Sequence, residues 1–303
     1  MPRTWFGPHG TNNETYANGG NANLGILELG SYLVLPDGRK YRFALNDGTV
    51  EVAGNLYQSV VGLATHTNVV CDTTRAIGAT AISATLGTTL AAVDIYAEGI
   101  VHSNDATGEA YTHSIQRAFN AGDANAAAAS SAVLTVSLAP QETVQVALDT
   151  TSEVTFTRNR YHQVLIHPAP PTSGVAGVSP GVAAADRFYW SQVEGYATCL
   201  VDGTLLEGLP AQASVTTAGA VESHKRRVEV GGTTAALVTT ATTFVLLDQD
   251  GGTTSFRAAG LATTGTVVDI TSGIANNAPV IGMTVKANAS TEYGLINLTG
   301  LGS

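Results

Sequence analysis

Apolar and polar residues alternate over short stretches of this chain, and the alternation predicts β-strands joined by tight turns. In the stretch 132–138, Leu134, Val136 and Leu138 alternate with hydroxyl residues, which is typical of a strand with one buried face. Further strands are predicted at 92–102, 111–117 and 143–148, in the two halves of 151–167, at 188–203, and in two runs within 278–301. The chain contains no long amphipathic helix pattern. The predicted fold class is therefore all-β, with one or more β-sandwich or β-barrel-like domains and an extended N-terminal arm.

Turn signals separate these strands. Asp-Gly pairs at 37–38 and 47–48 predict two hairpins, because glycine accepts a positive φ at no steric cost. The Ala-rich stretch 120–131 is interrupted by Asn, Gly, Asp and Ser, so it predicts a loop with at most one helical turn. The Pro- and Gly-rich stretch 168–181 predicts an exposed connection.

The pattern divides the chain into three parts. Residues 1–25 are polar and aperiodic and predict an extended arm, 26–225 predict the main β-domain, and 226–303 predict a C-terminal β-region that completes or packs on it. Trp5 and Phe6, at the far end of the arm, suit an anchor in a groove of another subunit or a contact with the chain's own body.

The strand predicted at 188–203 holds one of the two tryptophans and one of the two cysteines. Side chains of the same parity share a face, so Trp190 and Cys199 point in opposite directions. We expect Cys199 in a tight core of small residues and the even-numbered row, which includes Trp190, facing solvent or another chain. A bulge at Gly195 would shift this register.

Composition narrows the classes of partner. Of 303 residues 13% are charged, and the formal net charge of −10 with a pI near 5.0 argues against nucleic acid. The basic run 224–227 is flanked by Glu222 and Glu229 and is interpreted as a solvated turn or a salt-bridged strand end. Cys71 and Cys199 allow one disulfide, and two buried, reduced thiols are the simpler expectation.

Targeting signals are not evident either. No apolar segment has the length of a signal peptide or of a membrane span, so we expect no membrane partner and a protein made or assembled in a cytoplasm.

One segment matches the pattern around the nucleophile of serine hydrolases. It runs from Gly177 to Gly181 with Ser179 at its centre. The motif needs a strand that turns directly into a helix, whereas here a Pro-rich stretch precedes it and Pro180 follows the serine. The histidine available downstream, His224, lies inside the basic run. We therefore interpret the segment as a loop.

Metal motifs are equally weak. His162 and His167 are five positions apart, so on a strand they would point to opposite faces and share no metal. Asp248 and Asp250 favour a hairpin turn over a calcium loop, because the other oxygen ligands of such a loop are missing. The sequence predicts no catalytic, cofactor-binding or metal-binding residue, and no enzyme.

Four segments together resemble head-associated structural proteins of tailed bacteriophages, in particular capsid decoration or cement proteins. They are GEAYTHSIQRAFN, LTVSLAPQETVQVALDTTSEVTFTRNRYHQVLIHP, FYWSQVEGYATCLVDG and APVIGMTVKANASTEYGLINLTG. The resemblance covers residues 90–205 and the final 25, rests on strand patterns, and assigns no role to any single residue.

The resemblance implies a virion protein on the capsid surface, assembled in the bacterial host cytoplasm. Its partners would be the major capsid protein and further copies of itself, with a trimer favoured over a dimer. Such a protein holds a lattice together through extended contacts that repetition multiplies.

Two other classes stay open. The first alternative is a tail or fibre component that contacts host glycans, for which Trp190 with Tyr196 is the best local pair of aromatic residues. A bacterial surface adhesin is less favoured because no export signal is evident. A major coat protein is less favoured because the chain lacks a long helix pattern.

Overall fold

The computed structural model describes residues 27–224 and 278–301 with their side chains, and it describes four strands between these ranges by their backbone. Three predictions lie outside the described residues: the arm with Trp5 and Phe6, the basic run beyond His224, and the turn at 248–251.

The described chain consists of antiparallel strands joined by loops, with one short 3-10 turn at Ala64–His66 and no α-helix in the part described. The strands are β1 (Tyr32–Val34), β2 (Lys40–Leu45), β3 (Leu56–Gln58), β4 (Val69–Val70), β5 (Ala81–Thr85), β6 (Ile100–Asp105), β7 (Thr112–Asn120), β8 (Val133–Leu138), β9 (Glu153–Thr157), β10 (Leu165–Ile166), β11 (Val175–Val178), β12 (Phe188–Leu200), β13 (Pro210–Ala213), β14 (Val221–Ser223), β15 (Glu229–Thr233), β16 (Thr243–Leu247), β17 (Thr253–Arg257), β18 (Val267–Thr271), β19 (Val280–Lys286) and β20 (Tyr293–Leu298). The all-β prediction is confirmed.

The larger sheet has ten strands and is built around β12. Its order is β10-β3-β11-β12-β20-β19-β13-β14, and the β1–β2 hairpin joins it by pairing β2 with β12. The C-terminal strands β19 and β20 therefore lie inside this sheet, between β12 and β13. Strands β15 with β18 and β16 with β17 form separate antiparallel pairs.

The second sheet has six strands in the order β4-β9-β6-β7-β8-β5 and comes between β3 and β10 in the chain. An antiparallel bridge between Cys71 and Ala84 brings its two ends together, so the sheet is a nearly closed barrel. Barrel and larger sheet each enclose a separate cluster of buried apolar side chains. The barrel core lies wholly within 26–225, whereas the core of the larger sheet also takes in C-terminal residues such as Ile281 and Ile296.

Strand β12 corrects the prediction made for Trp190. Trp190 is 3% exposed and packs edge-on against Phe43 at 5.3 Å, while Phe188 stacks on Phe43 at 5.2 Å. The physical reason is that the first half of β12 is covered on both faces, since every residue from Phe188 to Val193 is buried. The pairing with β2 shifts between Gln192 and Glu194, and beyond this bulge Ala197 and Cys199 are buried while Tyr196 and Thr198 are exposed.

Other strand predictions are confirmed. The hairpin at 37–38 joins β1 to β2, and β7, β8, β9, β19 and β20 lie where strands were predicted. The 120–131 segment is a loop, as predicted.

Three predictions are wrong because side-chain hydrogen bonds or burial decide the backbone path. At 47–48 there is no hairpin, since Asn46 and Asp47 bond to the main chain of a long loop. The first part of 92–102 forms turns around the buried carboxylate of Asp94, which accepts hydrogen bonds from Arg117 and the Ala118 N–H. The 168–181 connection contains β11, which is buried throughout.

The stretch 143–148 also forms no strand. Its Val144 and Leu148 are buried in the barrel core, yet their main-chain N–H groups bond to Ala79 and Arg75 as isolated pairs. The apolar alternation at 143–148 therefore reflects side chains that pack in the barrel core, although the segment does not pair with a sheet as a strand.

We predict that Phe43→Ala strongly destabilises the larger sheet, because the deletion removes the ring between Phe188 and Trp190. The free energy of unfolding should fall by about 3–5 kcal/mol, measured by urea denaturation followed by tryptophan fluorescence. Tyr111→Ala, at a 41% exposed site, is the control and should change it by less than about 0.5 kcal/mol. Equal losses in both variants would contradict the packing described for Phe43.

Candidate interaction surface

The larger sheet exposes one face along the second half of β12, β20 and β19, which we name the outer face. Across it Tyr196 pairs with Asn297, and Asn297 pairs with Met283. Tyr196 is 59% exposed and Met283 is 47% exposed. Ala197 and the intervening residues of these strands are buried in the core. The outer face is thus a sheet surface whose side chains include large apolar groups.

Two depressions flank Tyr196. The first, named the trough, is a shallow volume of about 1170 Å³ between the β1–β2 turn and β20. The second, named the hollow, is a smaller volume of about 400 Å³ between Tyr196 and Tyr293. The hollow is lined by Arg39, Val52, Ala53, Gly54, Val178, Ser179, Pro180, Val182, Gln192, Tyr196, Thr198 and Tyr293.

Two glycines fix the aromatic sides of the hollow. Gly54 has a φ of +79°, and a Cβ there would lie 2.5 Å from Cε1 of Tyr293, so the ring rests directly on the backbone. Gly195 has a φ of +84°, and a Cβ there would lie 3.1 Å from the Cα of Arg39. The β1–β2 hairpin therefore lies directly against Gly195, next to Tyr196.

A buried carboxyl group lies behind the hollow. Glu51 is 1% exposed, and the Ser179 hydroxyl lies 3.0 Å from its Oε2 and 2.6 Å from the Gly181 carbonyl oxygen. Burial raises the pKa of Glu51 to about 8, and the nearby hydroxyls of Tyr189 and Ser179 offset this only in part. Glu51 is therefore mainly protonated and neutral near pH 7.

The other residues singled out in the sequence do not join this site. His224 Nδ1 lies 2.7 Å from Gln212 Oε1, so it is not the partner of Ser179. The His167 ring contacts the carbonyl oxygens of Pro168 and Ala220. Burial lowers the pKa of His162 to about 3. Within the described residues no three His, Cys, Asp or Glu side chains are placed to share a metal ion.

The prediction that both cysteines are buried and unpaired with each other is confirmed. Cys71 and Cys199 are both buried and form no disulfide. Cys71 lies in the barrel core and Cys199 in the core of the larger sheet. Burial raises the pKa of Cys71 to about 11 and that of Cys199 to about 12, so neither is a reactive thiolate near neutral pH.

Sequence reasoning found Tyr196 but missed its neighbours. Trp190, proposed as the partner of Tyr196 in glycan contact, is buried, and the aromatic residue across the hollow is Tyr293. The sequence signal available was the alternation of β20, which places Tyr293 on the same face as Asn297. The pairing of β20 with β12 joins residues about 100 positions apart and has no local signature.

Comparison with known proteins gives no match among protein-family models, curated proteins or solved structures. In the part of the chain that the structure describes, no helix is both long and apolar enough to cross a membrane.

We predict that the stability of the protein carries a pH dependence that Glu51→Gln removes. The folded state holds a proton on Glu51 up to about pH 8, whereas unfolded Glu titrates near 4.5, so the stability from this group is complete below pH 4.5 and is lost as the pH rises through 8. Between about pH 5 and about pH 8 the wild type should lose on the order of a few kcal/mol relative to Glu51→Gln.

Urea denaturation of both proteins across this pH range measures the difference. Because the other titrating groups are common to both proteins, they cancel in it. Parallel pH profiles would show that Glu51 is ionised in the folded state.

Proposed function

We propose that this chain is a virion structural protein that decorates the icosahedral capsid of a tailed phage and stabilises it by binding the coat lattice. The outer face is the observation that supports the proposal most directly. It exposes Tyr196, Met283 and Tyr293 on a regular sheet, which suits contact with another protein surface. We also propose that the chain has no catalytic role and resides on the capsid surface.

The charges bordering the outer face support this role because they are paired within the chain. Lys40 Nζ lies 2.8 Å from Glu194, Lys286 Nζ lies 2.7 Å from Glu207, and Arg39 Nε lies 2.7 Å from Asp37. A neighbouring molecule that covered the outer face would bury few unpaired charges, and so would avoid their desolvation cost. The contact would instead use apolar area and hydroxyl or amide groups.

The architecture also suits repeated contact on a shell. Two cores of strands hold the surface rigid, which lowers the entropy lost when it binds. We propose that the partners are the major capsid protein and further copies of this chain, with a trimer favoured over a dimer. Occupancy of many lattice positions would multiply contacts that are individually weak.

A tail or fibre component that contacts host glycans is the second candidate. The hollow favours it, because two exposed tyrosine rings stand on either side of a small cleft. The glycan-binding pair is then Tyr196 with Tyr293, in place of Tyr196 with Trp190.

We predict that Met283→Glu weakens attachment to capsids, since it places an unpaired charge on the outer face. Purified chain is mixed with shells assembled from the major capsid protein encoded in the same genome, and bound chain is measured by co-sedimentation. Wild type should saturate the shells, and Met283→Glu should bind at least tenfold more weakly. Ile77→Glu, at a barrel site that is 70% exposed, is the matched control and should bind like wild type.

Disruption of the gene supplies the complementary measurement. Heads should still form, and they should lose DNA or burst on heating or chelation more readily than wild-type heads. Wild-type chain that fails to bind the shells, or a virion image that places it on the tail, would overturn the decoration proposal and leave the second candidate.

A further inference from the structure

We propose that the hollow between Tyr196 and Tyr293 binds a neutral saccharide of one or two sugar rings. Tyr196 and Tyr293 also belong to the outer face proposed as the lattice contact, but sugar binding in the hollow does not depend on that contact. The volume of about 400 Å³ lies in the range of small-ligand sites. The inference rests on the shape, the hydrogen-bonding groups and the charge of the hollow.

The sides of the hollow present what a sugar requires. Sugars have apolar C–H faces that pack against aromatic rings and hydroxyl groups that need hydrogen-bond partners. Tyr196 and Tyr293 supply rings that are 59% and 43% exposed. The hydroxyl groups of these two tyrosines and of Thr198 make no hydrogen bond to any residue that the structure describes, so they are available to a ligand.

The main chain at the hollow argues against an extended peptide. The Gly54 N–H donates to the Ser179 carbonyl oxygen at 2.8 Å, and the Gly54 carbonyl oxygen accepts from the Leu200 N–H at 2.9 Å. A peptide that binds by strand addition needs unpaired main-chain groups. Because the main-chain groups of Gly54 are already paired, a ligand in the hollow cannot bind by strand addition at Gly54, which favours one that uses side chains, as a sugar does.

The charge of the hollow argues for a neutral ligand. Arg39 is its one charged lining residue, and Asp37 pairs with it at 2.7 Å. Glu51, behind Ser179, has its pKa raised by burial and is mainly uncharged near neutral pH. A phosphate or a sialic acid binds best to an unpaired cationic side chain, and a cationic ligand binds best to an unpaired carboxylate.

The hollow is also preorganised, because the positions of its two tyrosines are fixed by contacts within the chain. Tyr293 rests on Gly54, and the Gly195 bulge sets the position of Tyr196 beside the hairpin. A rigid site loses less conformational entropy on binding, which is what a weak ligand such as a sugar needs.

The test uses the full chain on a glycan array that carries neutral and sialylated glycans, followed by saturation-transfer NMR with N-acetylglucosamine, methyl α-glucoside and lactose. Wild type should bind one or more neutral glycans. Tyr196→Ala and Tyr293→Ala should each weaken binding at least tenfold, whereas Tyr196→Phe should keep the ring and most of the affinity. Tyr111→Ala, at a site that is 41% exposed, is the matched control and should bind like wild type.

Several outcomes would overturn the proposal. They are the absence of any neutral glycan bound at millimolar concentration, binding of sialylated glycans alone, and binding that both alanine variants leave unchanged. Circular dichroism shows whether Tyr293→Ala has kept the fold, and the more exposed Tyr196→Ala keeps the test valid if it has not. Met283→Glu should keep sugar binding while losing capsid attachment, so failure of one proposal is distinguishable from failure of the other.

Discussion

The main-chain pairing of β12 is the constraint on which the larger sheet depends. Its first half pairs with β2, its second half pairs with β20, and the change of partner occurs at the bulge near Gly195. A backbone N–H or C=O left unpaired in this buried position would be costly, so the bulge must place each half in register with its own partner. The first half of β12 is buried on both faces, whereas the second half places Ala197 and Cys199 in the core and Tyr196 and Thr198 on the outer face. The outer face therefore begins where β12 changes its partner.

The all-β class could be predicted from the sequence, because the alternation of apolar and polar residues over β8 and β20 is a local signal. Turn residues such as Asp37 and Gly38 likewise indicate a hairpin directly. The burial of Trp190 could not be predicted from the sequence. Parity tells which side chains share a face, but whether that face is covered depends on strands distant in sequence, such as β2, whose Phe43 packs on Trp190. A glycine within a strand signals that a bulge is available, but the partner strand decides whether it forms.

Long-range pairing explains the rest of what sequence analysis missed. The hollow requires the loop at Gly54, the end of β11 and the strands β12 and β20 to meet, and these segments are spread over about 240 positions. Glu51 shows the same limit: in the sequence it is an ordinary acidic residue between two valines, yet the fold places it beside Ser179 and Tyr189, where burial raises its pKa to about 8. A buried acid of this kind is tolerated only because most of its charge is removed with the proton.

Tyr196 belongs to both proposed binding surfaces, the lattice contact and the sugar site. Its side chain lines both the trough, which borders β20 and the hairpin turn, and the hollow, which borders Tyr293 and the 179–182 loop. A coat subunit bound at Met283 would meet the row that crosses Asn297 to Tyr196, and a sugar in the hollow would contact the Tyr196 ring. If the proposed coat contact covered Tyr196 as well, the two ligands would compete, whereas a contact that ended at Asn297 would leave the hollow open. The extent of the proposed lattice contact along this one row would then determine whether a sugar can bind beside it.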